Sequence, residues 1–522
     1  MRDRKLILIF LAYFFIVTGP SAQVNPDTLE RFIKNESQFR KVSLQYPAET
    51  RTFYKNLNYR TVWTGNNVLN NNLLKLLKQS PAFGLHQNDY QPGLMGSFNT
   101  ASFRLEGLDD SIAAELRFTD AALHFIHDMV YGNVTPGIGY NGLKYFPACF
   151  DMAAMLQQAI FNYQLFFLPA LIEQKTPEYT AIRRKITEYS NMISDSSFKE
   201  VKITSAKVNS TNMPLLVKLF QLGFTDSIDQ KISDTALKTK VKGAQKLFNL
   251  IPDGVLRSTS LEAFNVPLAT RLKELNYALN TIRWLSCIKQ SQKVIVVNLP
   301  SATLLVYDSN KVVLESKIIV GKRSTPTPLL CSKVTEVILY PYWMVPHSIA
   351  TKELLPSIKR SPGYLDAHGY QVINLQGRVM DHYNINWAAL STSYFPYIIR
   401  QSTGCDNALG LVKLNFYNPY SVYLHDTPGK SLFSLNRRYF SHGCMRVGKA
   451  MELARYVLKD NTIAIDTLTQ KGCLFHQSPI TVPADEHIPV FVLYNTAWVD
   501  AAGGVTFSED IYRKNQSLFK RD

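Results

Sequence analysis

The sequence predicts a multidomain α+β protein in which two helical blocks precede a β-rich domain. Residues about 23–200 repeat apolar side chains at the three- and four-residue spacing of helices. Residues about 292–345 instead form short β-branched runs that are separated by turn residues. A chain of 522 residues with 46% apolar side chains is long enough for about three or four domains. Wholesale disorder is therefore excluded.

A signal peptide over residues 1–22 predicts an exported protein. Arg2, Arg4 and Lys5 precede the apolar run Leu6–Val17, and small, turn-prone residues follow it. A helix of this length rises about 18 Å, well short of the roughly 30 Å hydrocarbon layer. Cleavage is therefore favoured, and an uncleaved anchor in the inner membrane, with peripheral or anchored membrane association, is the alternative.

The composition favours an anionic partner. Lys and Arg total 57 against 41 Asp and Glu, which gives a net charge of +16. Such a surface suits nucleic acid, anionic lipid or a carboxylate-bearing wall polymer. No run of five basic residues occurs, so nucleic acid is not indicated. Six cysteines without a CxxC motif argue against a disulfide scaffold and a zinc ribbon.

Residues 23–204 are predicted to form a helical scaffold domain without chemistry of its own. Apolar side chains recur at helical spacing within Ser111–Tyr131, and Gly132 ends the pattern. Helices are also expected over Asn72–Gln79 and Tyr179–Met192.

Residues 205–286 are predicted to form a second helical domain. A helix up to Phe248 is followed by an Asp253-Gly254 turn and by a helix capped at Ser258 or Thr259. This block resembles the three-helix peptidoglycan-binding-like module. Any helix–turn–helix hairpin looks similar, so a plain hairpin is the alternative.

Residues 292–475 are predicted to form a β-rich domain. The segment of about 346–400 is irregular and rich in Pro, Tyr and Ser, so we expect an insertion between strands that covers the site as a lid. Residues 476–522 are expected to form a C-terminal extension that packs on this domain. The predicted strands are Val294–Leu299, Thr303–Tyr307, Val312–Val320, Val334–Tyr340, Val422–His425 and Val490–Tyr494, and a helix is predicted over Ala450–Leu458.

One cluster of residues carries chemistry. Cys444 with His425 upstream is the sequence form of a thiolate nucleophile and its base, because an adjacent imidazole raises the small thiolate fraction of a free thiol. Gly443 has no Cβ, so the backbone can turn sharply and leave N–H groups facing an oxyanion. Asp426 or a backbone carbonyl would fix the imidazole tautomer. A zinc site that includes His442 lacks a fourth ligand, so no metal is predicted.

These residues resemble a known family. His425, followed after fifteen residues by Ser441-His442-Gly443-Cys444, agrees with the H-x(14–17)-[ST]-H-G-C signature of the L,D-transpeptidases. Asn407–Gly410 and Val422–Pro428 are similar to the large periplasmic branch, which combines a YkuD-type catalytic domain with a peptidoglycan-binding-like module. The resemblance spans about residues 205–515.

The resemblance implies a periplasmic enzyme that forms 3→3 cross-links in a Gram-negative-type peptidoglycan. Cys444 would attack the amide before the terminal D-alanine of a donor stem tetrapeptide, and a side-chain amine of an acceptor stem would resolve the thioester. Carbapenems acylate such cysteines. His425 is then the base, and the backbone N–H groups of His442, Gly443 and Cys444 are candidate oxyanion donors. No cofactor is implied.

The resemblance also implies a substrate pocket, in which Arg446 would pair with a stem carboxylate. Structural roles stay open as alternatives for Arg446 (an ion pair), Asn407 (a loop cap) and His442 (shaping the turn rather than transferring a proton). The expected substrate-binding residues are Arg446, Tyr423, Ser441 and Asn407.

Two features leave the function open. Gln401–Asp406 departs from the family pattern, and its Cys405 would either pair with Cys331 or be buried. Water or another amine could also resolve the thioester, which would make the protein an L,D-carboxypeptidase, an endopeptidase or a protein-to-wall ligase. A non-catalytic wall-binding scaffold is the alternative of a different class.

Overall fold

The computed structural model describes most of the chain, namely residues 24–90, 107–143, 148–228, 231–459 and 477–519, with 465, 468, 471, 472 and 474. The predicted signal peptide lies outside the described residues. Two compact units are present, residues 1–129 with 150–173 and residues 130–149 with 174–522. Among the described helices, none combines the length and apolar character needed to cross a membrane.

The first unit is helical, as the sequence predicts. Its longest helix starts three residues before the predicted one and carries the buried Glu115, whose carboxylate accepts backbone N–H groups of Val62, Trp63 and Thr64. The helices are α1 (Pro26–Lys34), α2 (Glu36–Lys41), α3 (Pro47–Asn56), α4 (Asn67–Lys78), α5 (Leu108–Tyr131, whose end belongs to the second unit), α6 (Met152–Phe161) and α7 (Leu168–Ile172).

The second unit begins with helices that include the predicted helix–turn–helix. Gln245 braces the Asp253-Gly254 turn, because its side chain accepts the Gly254 N–H at 2.8 Å and donates to the Val255 carbonyl at 3.0 Å. The helices are α8 (Pro177–Ser194), α9 (Met213–Gln221), α10 (Asp234–Leu247), α11 (Ser258–Phe264) and α12 (Leu268–Ser291).

These helices do not close a core by themselves. Two C-terminal strands that pair with each other, β15 (Ala497–Val499) and β16 (Val505–Phe507), contribute Ala497 and Phe507 to the helical core, where the Phe507 ring lies 5.8 Å from that of Phe248. The predicted C-terminal extension therefore contacts the helical core as well as the core of the β-rich domain, where Tyr494 is buried and Ile511 packs. The hairpin thus lies between both parts of this unit, because Trp498 packs with sheet residues such as Phe491 while Ala497 and Phe507 join the helical core.

The β-rich domain is one large sheet around an apolar core. Its strand order is β1-β5-β10-β11-β13-β4-β3-β2-β14, with β12 paired to β4. The strands are β1 (Tyr140–Asn141), β2 (Val294–Asn298), β3 (Thr303–Asp308), β4 (Lys311–Gly321), β5 (Leu330–Leu339), β10 (Val412–Phe416), β11 (Leu424–His425), β12 (Tyr439–Ser441), β13 (Met445–Val447) and β14 (Ile480–Leu493); helix α16 (Ala450–Leu458) packs on β14.

The sheet closes on itself through its last strand. β14 pairs in parallel with β2 through Val490–Leu493 and antiparallel with β5 through residues such as Ile480 and Val492. This strand was predicted to belong to an extension outside the domain, but it is an integral part of the sheet. The pairing of β14 with the distant strands β2 and β5 is what places it in the sheet. Its apolar run would look the same in the sequence if it belonged to an extension.

The insertion is a folded subdomain rather than an irregular segment. It leaves the sheet after β5 and returns before β10. It has its own buried cluster, which includes Ile358, Val372 and Ile399. Its elements are β6 (Trp343–Met344), α13 (His347–Ile349), a π-helical turn (Ala350–Leu354), α14 (Leu355–Arg360), α15 (Tyr364–Ala367), β7 (Tyr370–Ile373), β8 (Val379–Met380) and β9 (Ile398–Gln401), with the strand order β6-β9-β7-β8.

The cysteines divide into bonded and free groups. Cys149 and Cys287 form a disulfide, and Cys405 is also disulfide-bonded. Cys331 and Cys444 are free thiols. Of the two alternatives given for Cys331 and Cys405, their pairing with each other is wrong, because Cys331 is a free thiol that is completely buried in the core.

Candidate active site

Strand pairing places the predicted nucleophile beside the face of the sheet that carries the predicted base. In the strand register, His425 lies opposite Lys413 on β10 and opposite Arg446 on β13. Directly opposed residues share a face, and residues two apart on one strand share it too. Tyr423 and Cys444 directly precede the two strands, and the Met445 N–H donates to the Tyr423 carbonyl at 3.0 Å, so both side chains lie beside this face, where the charges of Lys413 and Arg446 act on the Cys444 thiol. The intervening Leu414, Leu424 and Met445 point into the core.

A tight turn presents Cys444. The strands before and after the turn, β12 and β13, both pair with β4, so the chain must reverse within the three residues between Ser441 and Met445. Gly443 meets this demand with φ of +120°. Ser441 braces the turn, because its hydroxyl accepts the Gly443 N–H at 3.2 Å and donates to the Cys444 carbonyl at 2.5 Å.

We expect Gly443→Ala to slow acylation of Cys444 roughly 10- to 100-fold, since side-chain-bearing residues at such φ values cost roughly 1–3 kcal/mol. The nearest atom to an added Cβ, Val422 Cγ1, is 3.7 Å away, so the effect comes from the backbone rather than from a clash. The measurement is the rate of β-lactam adduct formation by mass spectrometry. Gly429→Ala, at φ of −75°, is the matched control. Equal rates in the two variants would show that the turn geometry does not matter.

His425 is held as a neutral imidazole of one tautomer. Its Nδ1–H donates to the Asp426 carbonyl at 2.6 Å, which leaves Nε2 without a proton and able to accept one. Burial lowers the pKa of His425 to about 3, and the positive charges of Arg446 and Lys413 act in the same direction. Of the two orienting groups predicted, the structure has the carbonyl, whereas the Asp426 carboxylate pairs with Lys430.

Cys444 is partly exposed, and its sulfur lies among polar groups. The thiol donates to the Ser421 carbonyl at 3.8 Å, and among the described residues no hydrogen bond joins it to His425. Burial raises the pKa of the Cys444 thiol, while hydrogen bonds from Tyr423 and the charges of Lys413 and Arg446 act against the rise. The Tyr423 ring bridges the pair, with its centroid 5.6 Å from that of His425.

His442 faces the insertion. Its Nε2 lies 2.7 Å from the Glu353 carboxylate in the π-helical turn and 3.2 Å from Lys322 Nζ. This side chain therefore joins the turn before Cys444 to the inserted subdomain, which favours the structural alternative over direct proton transfer.

We expect Glu353→Ala to increase amide hydrogen exchange in the π-helical turn Ala350–Leu354 by roughly 1.5- to 5-fold. The Glu353 and His442 side chains are 49% and 33% exposed, and such contacts contribute only about 0.2–1 kcal/mol. Hydrogen-exchange mass spectrometry is the measurement, and Lys352→Ala in the same turn is the control. The same exchange in both variants would mean that the contact does not hold the insertion.

Two predicted substrate contacts are corrected. Asn407 is 2% exposed, and its side chain bonds to the carbonyls of Pro341 and Ser402 and to the Leu409 N–H, so it caps the loop. Ser441 is also buried and is used within the turn. Both polar groups are satisfied by backbone and are not available to a substrate.

Lys413 was missed by the sequence reasoning. Its Nζ lies 4.2 Å from the centroid of the Tyr423 ring, next to Cys444 and opposite His425. The signal in the sequence was a lysine between the apolar Val412 and Leu414. The pairing of its strand with β11, which puts Lys413 opposite His425, cannot be predicted from the sequence.

The fold and site together define a closed-sheet domain with a cysteine and a histidine at the ends of adjacent strands. Residues 292–465 match the family model of the YkuD L,D-transpeptidase catalytic domain, and residues 48–186 match that of a Scaffold domain. The region predicted to be catalytic is thus similar to the YkuD L,D-transpeptidase catalytic domain, which agrees with the resemblance seen in the signature. The α+β class, with a helical N-terminal region, is also confirmed.

Individual proteins are also similar to parts of this chain. A "Putative L,D-transpeptidase" of Haemophilus influenzae is 38% identical over 225 residues, which cover 43% of this chain and 45% of that protein. The match therefore spans less than half the length of the curated relative. Two solved structures are also similar, an Ldtfm–avibactam carbamoyl enzyme (15% identity, 39% of this chain and 49% of that chain, TM-score 0.19) and an L,D-transpeptidase (Yku) from Stackebrandtia nassauensis (14%, 57% and 98%, TM-score 0.21).

Proposed function

We propose that this protein is an exported cysteine L,D-transpeptidase that forms 3→3 cross-links between peptidoglycan stem peptides. The observation that carries the proposal is the grouping of Cys444, Tyr423 and His425 at the ends of adjacent strands, with His425 neutral and its Nε2 able to accept a proton. The similarity of residues 292–465 to the YkuD catalytic domain supports the same chemistry.

Acylation uses the thiol and the imidazole in turn. His425 Nε2 accepts the thiol proton, and the Cys444 sulfur attacks the carbonyl carbon of the bond between the third stem residue and the terminal D-alanine. The hydrogen bond between the Cys444 thiol and His425 Nε2 forms in the donor complex, since such catalytic contacts are commonly longer in the free enzyme. The imidazolium then returns the proton to the leaving amine, and a thioester remains.

The oxyanion of this step would be held by the turn. The Gly443 N–H already donates to Ser441, whereas the amides of His442 and Cys444 have no hydrogen-bond partner within the described part of the chain. These two N–H groups are therefore the donors we assign to the oxyanion.

The second half-reaction transfers the acyl group to an amine. The side-chain amine of an acceptor stem attacks the thioester, His425 takes its excess proton, and the thiolate of Cys444 leaves. Arg446 has no ion-pair partner among the described residues, so its guanidinium can bind a stem carboxylate. The net charge of +16 also favours approach to an anionic polymer.

Location is part of the same proposal. The basic, apolar and small-residue order of the first 22 residues supports export to the periplasm, with a cleaved signal or an inner-membrane anchor. Fractionation of expressing cells, with N-terminal sequencing of the product, would distinguish these two states. A cytosolic full-length product would contradict export.

Muropeptide analysis of cells that express the protein tests the function. New dimers that join two third-position diamino acids are the expected result. Shortened stems without such dimers would instead indicate an L,D-carboxypeptidase or endopeptidase, and stem-linked protein would indicate a ligase. No carbapenem adduct on Cys444 of the purified protein, together with unchanged muropeptides, would indicate a non-catalytic wall-binding scaffold.

A further inference from the structure

Lys413 occupies a position that the proposed reaction does not yet use. It lies across the strand pair from His425, and Arg446 lies on the other side of the same histidine. Neighbouring strands are about 4.8 Å apart, so these residues form a row of cation, imidazole and cation across β10, β11 and β13. Cys444 and Tyr423 lie beside this row.

The ammonium of Lys413 is not neutralised within the protein. Among the described residues it has no carboxylate within ion-pair distance, and its closest contact is the face of the Tyr423 ring at 4.2 Å. The negative groups that act on it are the Cys444 sulfur, when it is ionised, and Glu336, whose carboxylate accepts a hydrogen bond from Asn415 at 2.6 Å. While Cys444 is a neutral thiol, this half-buried cation has no counterion within ion-pair distance, which is costly and points to a ligand that supplies the negative charge.

We infer that Lys413 is a specificity-determining residue that, together with Arg446, binds a carboxylate of the acyl-donor stem beside Cys444. The inference rests on the proposed function and deepens it. A lysine acts as a compact point charge, whereas Arg446 offers a planar fork. The pair therefore selects donors that carry a carboxylate next to the scissile amide and disfavours neutral, amidated stems.

The first experiment measures how the charge around Cys444 affects its alkylation, and it needs no catalytic turnover. Iodoacetate and iodoacetamide alkylate a thiolate by the same chemistry, but only iodoacetate carries a carboxylate. The ratio of their rates at Cys444, followed by peptide mass spectrometry, isolates carboxylate attraction, because any change in thiol ionisation affects both reagents equally. We expect Lys413→Met to lower this ratio about 3- to 10-fold and Lys413→Arg to restore most of it.

A matched control is the same substitution at Lys333, an exposed lysine on β5 of the same sheet. Lys333→Met should keep the wild-type ratio. The inference is overturned if Lys413→Met also keeps it while circular dichroism shows a native fold. If Lys413→Met fails to fold, the Lys413→Gln variant carries the same comparison.

The second experiment uses the donor itself. Three tetrapeptide muropeptides are compared: one with free carboxylates, one amidated at the terminal residue and one amidated at the diamino acid. Lys413→Met should raise KM about 10-fold for the free donor and leave one amidated donor unchanged, which identifies the carboxylate that is bound. Equal losses on all three donors would overturn the inference. If the wild-type protein turns over no donor, the proposed function fails, and the alkylation ratio still decides the role of Lys413.

Discussion

Cys444→Ser is expected to abolish cross-linking, with a loss on the order of 10³-fold or more. A serine hydroxyl beside an imidazole is far less ionised near neutral pH than a thiol, so the nucleophile of the proposed acylation disappears while the turn keeps its shape. The measurement is the yield of 3→3 dimers from a purified donor and acceptor. Native yields in the serine variant would refute the nucleophile assignment.

Thiol labelling provides the control for this result. Cys331 is the other free cysteine in the described chain, but it is completely buried, and burial raises its pKa to about 12. Iodoacetamide should therefore label the native wild type at Cys444 and leave native Cys444→Ser almost unlabelled. Strong labelling of the serine variant would mean that its fold has opened and that its inactivity says nothing about the nucleophile.

His425→Ala is expected to slow acylation of Cys444 by about 10²- to 10⁴-fold, the usual contribution of a general base. The base must be neutral to accept the thiol proton, and burial beside Arg446 keeps the pKa of His425 at about 3. Acylation of the wild type should therefore rise with pH as the Cys444 thiol ionises. Protonation of His425 should not limit it until the pH falls toward that low value. Rates of carbapenem acylation across pH measure both effects.

His442→Ala is the matched control for the base. His442 is only two residues from Cys444, but its ring nitrogen contacts Glu353 of the insertion. We expect this variant to resemble Glu353→Ala and to retain most of the acylation rate. If His442→Ala lost the acylation rate and His425→Ala kept the native rate, His442 would be the base and His425 the structural residue.

The catalytic signature could be read from the sequence because it is local. Ser441 to Cys444 lie in one turn, and the need for a residue without Cβ at Gly443 agrees with its φ of +120°. The strands β2, β3, β4, β5 and β11 were predicted to within about four residues at each end, since β-branched runs bounded by turn residues are typical of strands. The strands β1, β10, β12 and β13 were not predicted, and β14 begins at Ile480 rather than at the predicted Val490. The insertion was predicted to be irregular, and its own small core was not predicted.

The class of fold could be inferred from the sequence alone, and the spacing of His425 and Cys444 was enough to propose the type of chemistry. The side chains that surround these two residues could not be inferred, because strand pairing joins residues that are far apart in the chain. The tertiary structure brought Lys413 opposite His425, assigned Asn407 to the loop backbone and turned His442 toward Glu353. It also placed β14 in the sheet and the following hairpin on the helices, since an apolar run records that a segment is buried but not which surface buries it.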